Sequence, residues 1–304
     1  MGCLLICTDF YENSDPNVRT GYNLAKQLDL KPVLYHIDPI APQINTLFHP
    51  PELDHIYQED TLWEKPIERS ALRNLEDQLH RLEIQKEEFE DFENYEGSIT
   101  KGIEYLKDFG DLDFVCVGNN SHGVLHHFFF DSFVEKVFVN SGKDVLAVKK
   151  EMKEIRNIIF LLPFSSLKKS DFEKVSKIAN LTGARVHLDC LFPLSYVGFD
   201  LTPTTDGILP LNTFQHDETE YQDSARKRIK SIENYLKVQK VKTSKSLEML
   251  LAPDPAYSLE KLISKTQADL VMLKPQHYGF EKKTIGSANL NLINKIENNF
   301  FILS

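Results

Sequence analysis

A chain of 304 residues with 41% apolar and 26% charged side chains, 13 glycines and 14 prolines has the make-up of a folded globular protein, which excludes disordered, collagen-like and membrane-embedded classes. At about 150 residues per domain, this length predicts two domains. The net charge of −10 is unevenly divided, with 14 basic against 27 acidic residues in 1–150 and 21 against 18 in 151–304. Seven acids with a single lysine in 82–96 exclude nucleic acid as the expected partner of the first half.

No apolar run reaches the roughly 18 residues of a membrane helix. The opening MGCLLICTDF has neither a basic leader region nor a small-residue cleavage site, and Ile6 stands where myristoylation needs Ser or Thr, so a cytoplasmic protein without membrane contact is expected. Cys3, Cys7, Cys116 and Cys190 fall in strand-like runs without metal or redox spacing, which predicts buried reduced thiols.

In chain order, GCLLICTDF at 2–10 predicts a strand that ends in a polar turn. RNIIFLLPF repeats its shape at 156–164, 154 positions later. After each comes a helical pattern, with Ser14 and Ser170 as cap-type residues. Second strands follow at 32–37 and 184–192, then Pro-, Asp- and Thr-rich stretches at 38–60 and 193–213, expected to lie over the carboxyl ends of the strands. Long amphipathic helices are predicted at about 61–82 and 216–237. Each half then offers a weaker third strand, a helix (98–108; 256–266), an apolar strand (113–118; 269–274), a further helix and a last strand (144–149; 300–304). This alternation predicts two α/β domains, 1–150 and 151–304, each a doubly wound parallel sheet, joined at the charged segment KKEMKE.

CTDFYENS at the end of the first strand, together with DFVCVGNNSHGVLHHFFFDSFVEKVFVNSGKDVLAVK at 113–149, resembles the universal stress protein signature. The resemblance covers the whole chain as a tandem pair, with weaker motifs in the second half. It implies five-stranded sheets of order 3-2-1-4-5 of the adenine-nucleotide-hydrolase-like type, and places any nucleotide at the carboxyl ends of strands 1 and 4. It also implies a monomer that forms an internal pseudo-dimer through the strands at 144–149 and 299–304, with higher oligomers compatible.

Nucleotide-binding members carry G-x2-G-x9-G-[ST], in which glycines let backbone N–H groups approach phosphates and a helix N-terminus adds donors. In domain 1 these positions are Gly118, Ser121, Asp131 and Ser132, so the first glycine and the last hydroxyl stand while the other two glycines are replaced. A carboxylate at Asp131 opposes a polyphosphate, whereas Asp9 matches the family's acidic nucleoside contact. In domain 2, Gly286 and Ser287 match, but Lys274, Pro275 and Gln276 fill the early loop, which is one residue short, and Pro163 aligns with Asp9. The turn proline before the third helix is kept in PDPAYSLEKLI at 253–263.

His122, His126 and His127 include an i, i+4 pair that suits a metal, but no third ligand is placed nearby and a structural role is expected. KTSKS at 242–246 resembles the mobile lysine motif of class I synthetases; without a matching H-x-G-H it reads as coincidence. No nucleophile–base, P-loop or paired-carboxylate motif is present, so no catalytic residue and no metal site is assigned. The function expected is a stress-response regulator working through protein contacts, with degenerate nucleotide sites and no certain cofactor. The alternative is an ATP or AMP sensor using domain 1, and a weak ATPase ranks third.

Overall fold

The computed structural model describes residues 2–39, 61–118, 130–162, 167–193, 218–244, 249–252, 255–275 and 284–304. The chain divides into two compact units, Met1–Lys153 and Glu154–Ser304. The segment read as a linker is in part docked on the first helix of unit 1. There Met152 is buried, its N–H donates to Thr20 Oγ1 at 2.9 Å, and the Lys153 carbonyl accepts from Gln27 Nε2 at 2.7 Å.

Unit 1 runs β1 (Cys3–Cys7), α1 (Asp15–Leu28), β2 (Lys31–Pro39), α2 (Thr61–Leu82), β3 (Asp91–Gly97), α3 (Ile99–Tyr105), β4 (Leu112–Gly118), α4 (Phe130–Ser141) and β5 (Asp144–Val148). Its strands are all parallel, in the order β3-β2-β1-β4-β5. Leu4, Leu5, Ile6, Val115 and Cys116 are fully buried, which is why β1 and β4 read as continuous apolar runs. α1 lies so close to β1 that a Cβ on Gly21 would fall 2.7 Å from Ile6 Cγ1.

Unit 2 repeats the plan with β6 (Asn157–Leu161), α5 (Lys169–Thr182), β7 (Arg185–Pro193), α6 (Glu218–Val238), β8 (Lys242–Thr243), β9 (Met249–Ala252), α7 (Pro255–Thr266), β10 (Leu270–Leu273), α8 (Ser287–Lys295) and β11 (Asn299–Ile302). β6 pairs with β7 and β10, and β10 pairs with β11, all parallel. The third-strand position is split. β8 pairs with Arg185 and Val186, β9 pairs with Cys190 to Pro193, and the β7 residues His187, Leu188 and Asp189 face the interval between them. With that division, each unit is an α/β fold of order 3-2-1-4-5.

Two helix starts differ from the sequence reading. Ser14 precedes α1 but gives no side-chain cap: its hydroxyl donates to the Tyr11 carbonyl at 2.8 Å and accepts from Gln78. Ser170 lies inside the first turn of α5, where Asp171 Oδ2 accepts the Lys168 N–H at 2.8 Å. Cys3 and Cys116 are buried free thiols, and burial pushes the Cys7 thiol up to about 12; nothing is described of the Cys190 side chain. Residues 40–60 and 194–217, which hold nearly all of the two expected lid stretches, lie outside the described residues.

Candidate functional site at the carboxyl ends of the central strands

In unit 1 the strand order reverses between β1 and β4, which are adjacent and parallel, with Ile6 opposite Cys116. A crevice at such a reversal is where open α/β sheets take ligands. Asp9 follows β1 and Gly118 ends β4, so the topology brings both to this rim.

The loop after β1 is held by a polar network. The Thr8 N–H continues the sheet to the Tyr35 carbonyl at 2.9 Å, and Thr8 Oγ1 donates to Gln78 Oε1 at 2.8 Å. Phe10 has φ +66°, a left-handed conformation uncommon for an aromatic residue, and its N–H donates to Thr8 Oγ1 at 3.0 Å. Arg81 donates to the Phe10 carbonyl at 2.8 Å and pairs with Asp15. α2 therefore fixes the loop from outside the rim. Asp9 Oδ1 accepts the Tyr11 N–H at 3.1 Å, while its Oδ2 is buried without a hydrogen-bond partner among the described residues.

Two further residues build this rim that the sequence reading did not single out. Asn17 Nδ2 donates to the Cys7 carbonyl at 2.6 Å, and Cys116 Sγ lies 3.0 Å from Asn17 Oδ1, so one amide joins the ends of β1 and β4. A Cβ on Gly118 would lie 2.9 Å from the Asn17 Cβ, which gives that glycine a packing reason for its place. His36 Nδ1–H donates to the Thr8 carbonyl at 2.8 Å, and its ring stacks on Phe10 at 4.2 Å. Burial lowers the His36 pKa, with the Thr8 hydrogen bond acting the other way. Only the polar turn after the first strand hinted at these two partners.

Asp131 and Ser132 are the second and third residues of α4. Ser121, His122, His126 and His127 lie outside the described residues, and among the described residues no cluster fits a metal ion.

In unit 2 the matching rim is formed by the ends of β6 and β10. Gly286, at φ +82°, immediately precedes α8, and Ser287 is its first residue. Pro163 and Gln276 lie outside the described residues. Lys274 follows β10 directly and forms a buried ion pair with Asp171 at 3.1 Å.

No family model matches the chain, and no curated protein matches it. Solved structures do. A universal stress protein from Archaeoglobus fulgidus DSM 4304 matches 100% of this chain and 96% of its own, at 14% identity and a TM-score of 0.59. A functionally unknown protein from Pseudomonas aeruginosa PAO1 matches 100% and 92%, at 10% identity and a TM-score of 0.57. A putative universal stress protein from Pseudomonas aeruginosa UCBPP-PA14 matches 100% and 93%, at 10% identity and 0.56. The chain thus has the fold of universal stress proteins. No described helix is long and apolar enough to cross a membrane.

Proposed function

We propose that this chain is a tandem protein of the universal-stress type, a cytoplasmic stress-response regulator that acts through protein contacts and whose nucleotide positions are degenerate. The observation that carries this reading is the place of Asp131 in the first turn of α4. A helix N-terminus after the fourth strand suits a phosphate, but an acidic residue type in that turn opposes one. Two like charges at 4 Å repel by about 1 to 4 kcal/mol between water and a partly buried site. Gly118 adds no separate argument for a phosphate, since Asn17 already requires it.

One observation favours a second reading, an ATP or AMP sensor in unit 1. The buried Oδ2 of Asp9 has no hydrogen-bond partner among the described residues, and an unmet buried acceptor costs about 1 to 3 kcal/mol. A ribose hydroxyl would satisfy it.

Calorimetry with ATP and AMP on the full chain separates the two. Under the first reading the wild type binds weakly or not at all, the Ser121→Gly, Asp131→Gly variant binds about 5-fold to 150-fold more tightly, and Asp9→Ala in that background removes the gain. Micromolar binding by the wild type with no gain in the variant would establish the sensor instead.

A further inference from the structure

β3 is the outermost strand of unit 1. It pairs in parallel with β2 from end to end, and among the described residues no strand pairs with its other side. The direction of its backbone groups follows from the ladder on the far side of β2. There the Lys31 N–H donates to the Gly2 carbonyl and the Tyr35 carbonyl accepts from the Thr8 N–H, so the odd-numbered residues of β2 turn to β1 and the even-numbered ones to β3. In a parallel ladder a residue bonds to the two residues that flank its partner. With Leu34 opposite Phe92 and His36 opposite Asn94, those bonds fall on Asp91, Glu93 and Tyr95. Phe92, Asn94 and Glu96 therefore turn their N–H and C=O groups outward. The Phe92 N–H is met by Asp91 Oδ1 at 2.8 Å, and no described residue meets the outward groups of Asn94 and Glu96.

An open edge of this kind is a template for a further strand, and edges are commonly guarded by lysine, proline or a bulge. β3, seven residues long, has none of these. What selects its partner is charge. Asp91 and Glu96 are exposed and Glu93 is half-buried. Lys31 is taken by Glu90, and among the described residues the three acids of β3 have no ion-pair partner. A second copy of β3 would set acid against acid across the new ladder, whereas a lysine or arginine opposite an acid gains about 0.2 to 1 kcal/mol per pair. The third-strand position of unit 2 is divided between β8 and β9, of two and four residues, so among the described residues no continuous edge of this kind recurs there.

We propose that β3 is a docking edge for an extended basic segment of a partner protein, which adds to the sheet as a further strand. Backbone bonds to Asn94 and Glu96 hold it, and its lysine or arginine side chains face Asp91, Glu93 and Glu96. Such docking rests on the proposed action through protein contacts and names the chemistry of the partner. The rim at the ends of β1 and β4 takes no part in it.

The probe is a labelled peptide of alternating lysine and valine, about seven residues long to match β3, added to the full chain and read by fluorescence anisotropy and amide hydrogen exchange. The wild type should bind it, and exchange at the Asn94 and Glu96 amides should slow about tenfold or more. Glu93→Lys with Glu96→Lys should weaken binding about tenfold or more. Asn94→Pro removes an outward N–H, breaks no bond to β2 and leaves every charge in place, and it should weaken binding as well. If the proline variant does not fold, the same peptide N-methylated throughout carries the test, because it keeps its charges and loses its backbone donors. Equal binding of the methylated and unmethylated peptides, or binding that leaves the Asn94 and Glu96 amides unprotected, is charge attraction alone and overturns the proposal. Self-association of the wild type that protects the same two amides also overturns it, by making a second copy the occupant. ATP calorimetry reads the nucleotide positions independently, so an absence of peptide binding beside an unchanged calorimetric result removes the docking edge and leaves the proposed function standing.

Discussion

The side-chain amide of Asn17 donates to the Cys7 carbonyl at 2.6 Å, so the first turn of α1 is tied to the last residue of β1 and, through the Cys116 thiol, to β4. Asn17 is 1% exposed, and its loss would remove this donor from the part-buried Cys7 carbonyl at the rim. Asn17→Ala should therefore destabilise the protein by about 1 to 3 kcal/mol. Urea unfolding checks this, and a midpoint equal to the wild type would show that the carbonyl finds another partner.

Stability should fall as the solution is acidified below neutrality. Burial lowers the pKa of His187, with Arg185 adding to the effect, and burial lowers that of His36 as well. The folded state therefore favours neutral rings while the unfolded chain titrates near about 6.5, and it is the unfolded state that binds more protons just below that value. The stabilising contribution is complete above pH about 6.5 and is lost as the pH falls from there toward the lowered folded values. His187 Nδ1 is 2.8 Å from Ser244 Oγ, so His187→Gln keeps a hydrogen-bonding group in place while removing the titration. Denaturation at a series of pH values should show a shallower acid-side slope in that variant; a slope identical to the wild type would remove His187 from the account.

The contact of α1 with β1 can be tested by coupling. A Cβ at Gly21 would lie 2.7 Å from Ile6 Cγ1 and 2.8 Å from Ile6 Cδ1, and Ile6 is fully buried and cannot swing away. Gly21→Ala gains about 1 kcal/mol of helix propensity. Overpacking costs typically about 1 to 3 kcal/mol, so a net loss is expected. Ile6→Val should recover part of that loss in the double variant beyond simple additivity, because the two residues share one space. Strict additivity would contradict the contact.

The segment after β5 offers a fourth test. Met152 is 6% exposed and its N–H is bound to Thr20 Oγ1, which is itself fully buried. Thr20→Val leaves that N–H without its acceptor and should cost about 1 to 3 kcal/mol, whereas Thr20→Ser should cost much less. Amide hydrogen exchange at Met152 should accelerate in the valine variant and hold in the serine one.

Much of the fold is legible along the chain because its causes are local or periodic. Buried parallel strands must be apolar throughout, and so LLIC, FVCV, IIFL and LVML announce β1, β4, β6 and β10 by themselves. The repetition of the first half in the second and the alternation of strands with amphipathic helices are likewise written in residue type and spacing. The rim residues are different in kind. Nothing in its neighbourhood marks Asn17 as the bridge between two strand ends, because its partners Cys7 and Cys116 lie 10 and 99 positions away and meet it only when α1 lies across the sheet. Asp171 and Lys274 are separated by 103 positions, so the sequence shows Lys274 only as a replacement in the early loop and does not pair it with Asp171 until the fold brings α5 beside the end of β10. Capping also changes hands in three dimensions: the Ser14 hydroxyl looks local but is claimed by Gln78 from α2, since a buried donor takes the nearest acceptor in space. Sequence period determined which segments are strands and helices, while the tertiary structure decided which polar side chains share a buried space, because that depends on strand register and helix approach between distant parts of the chain.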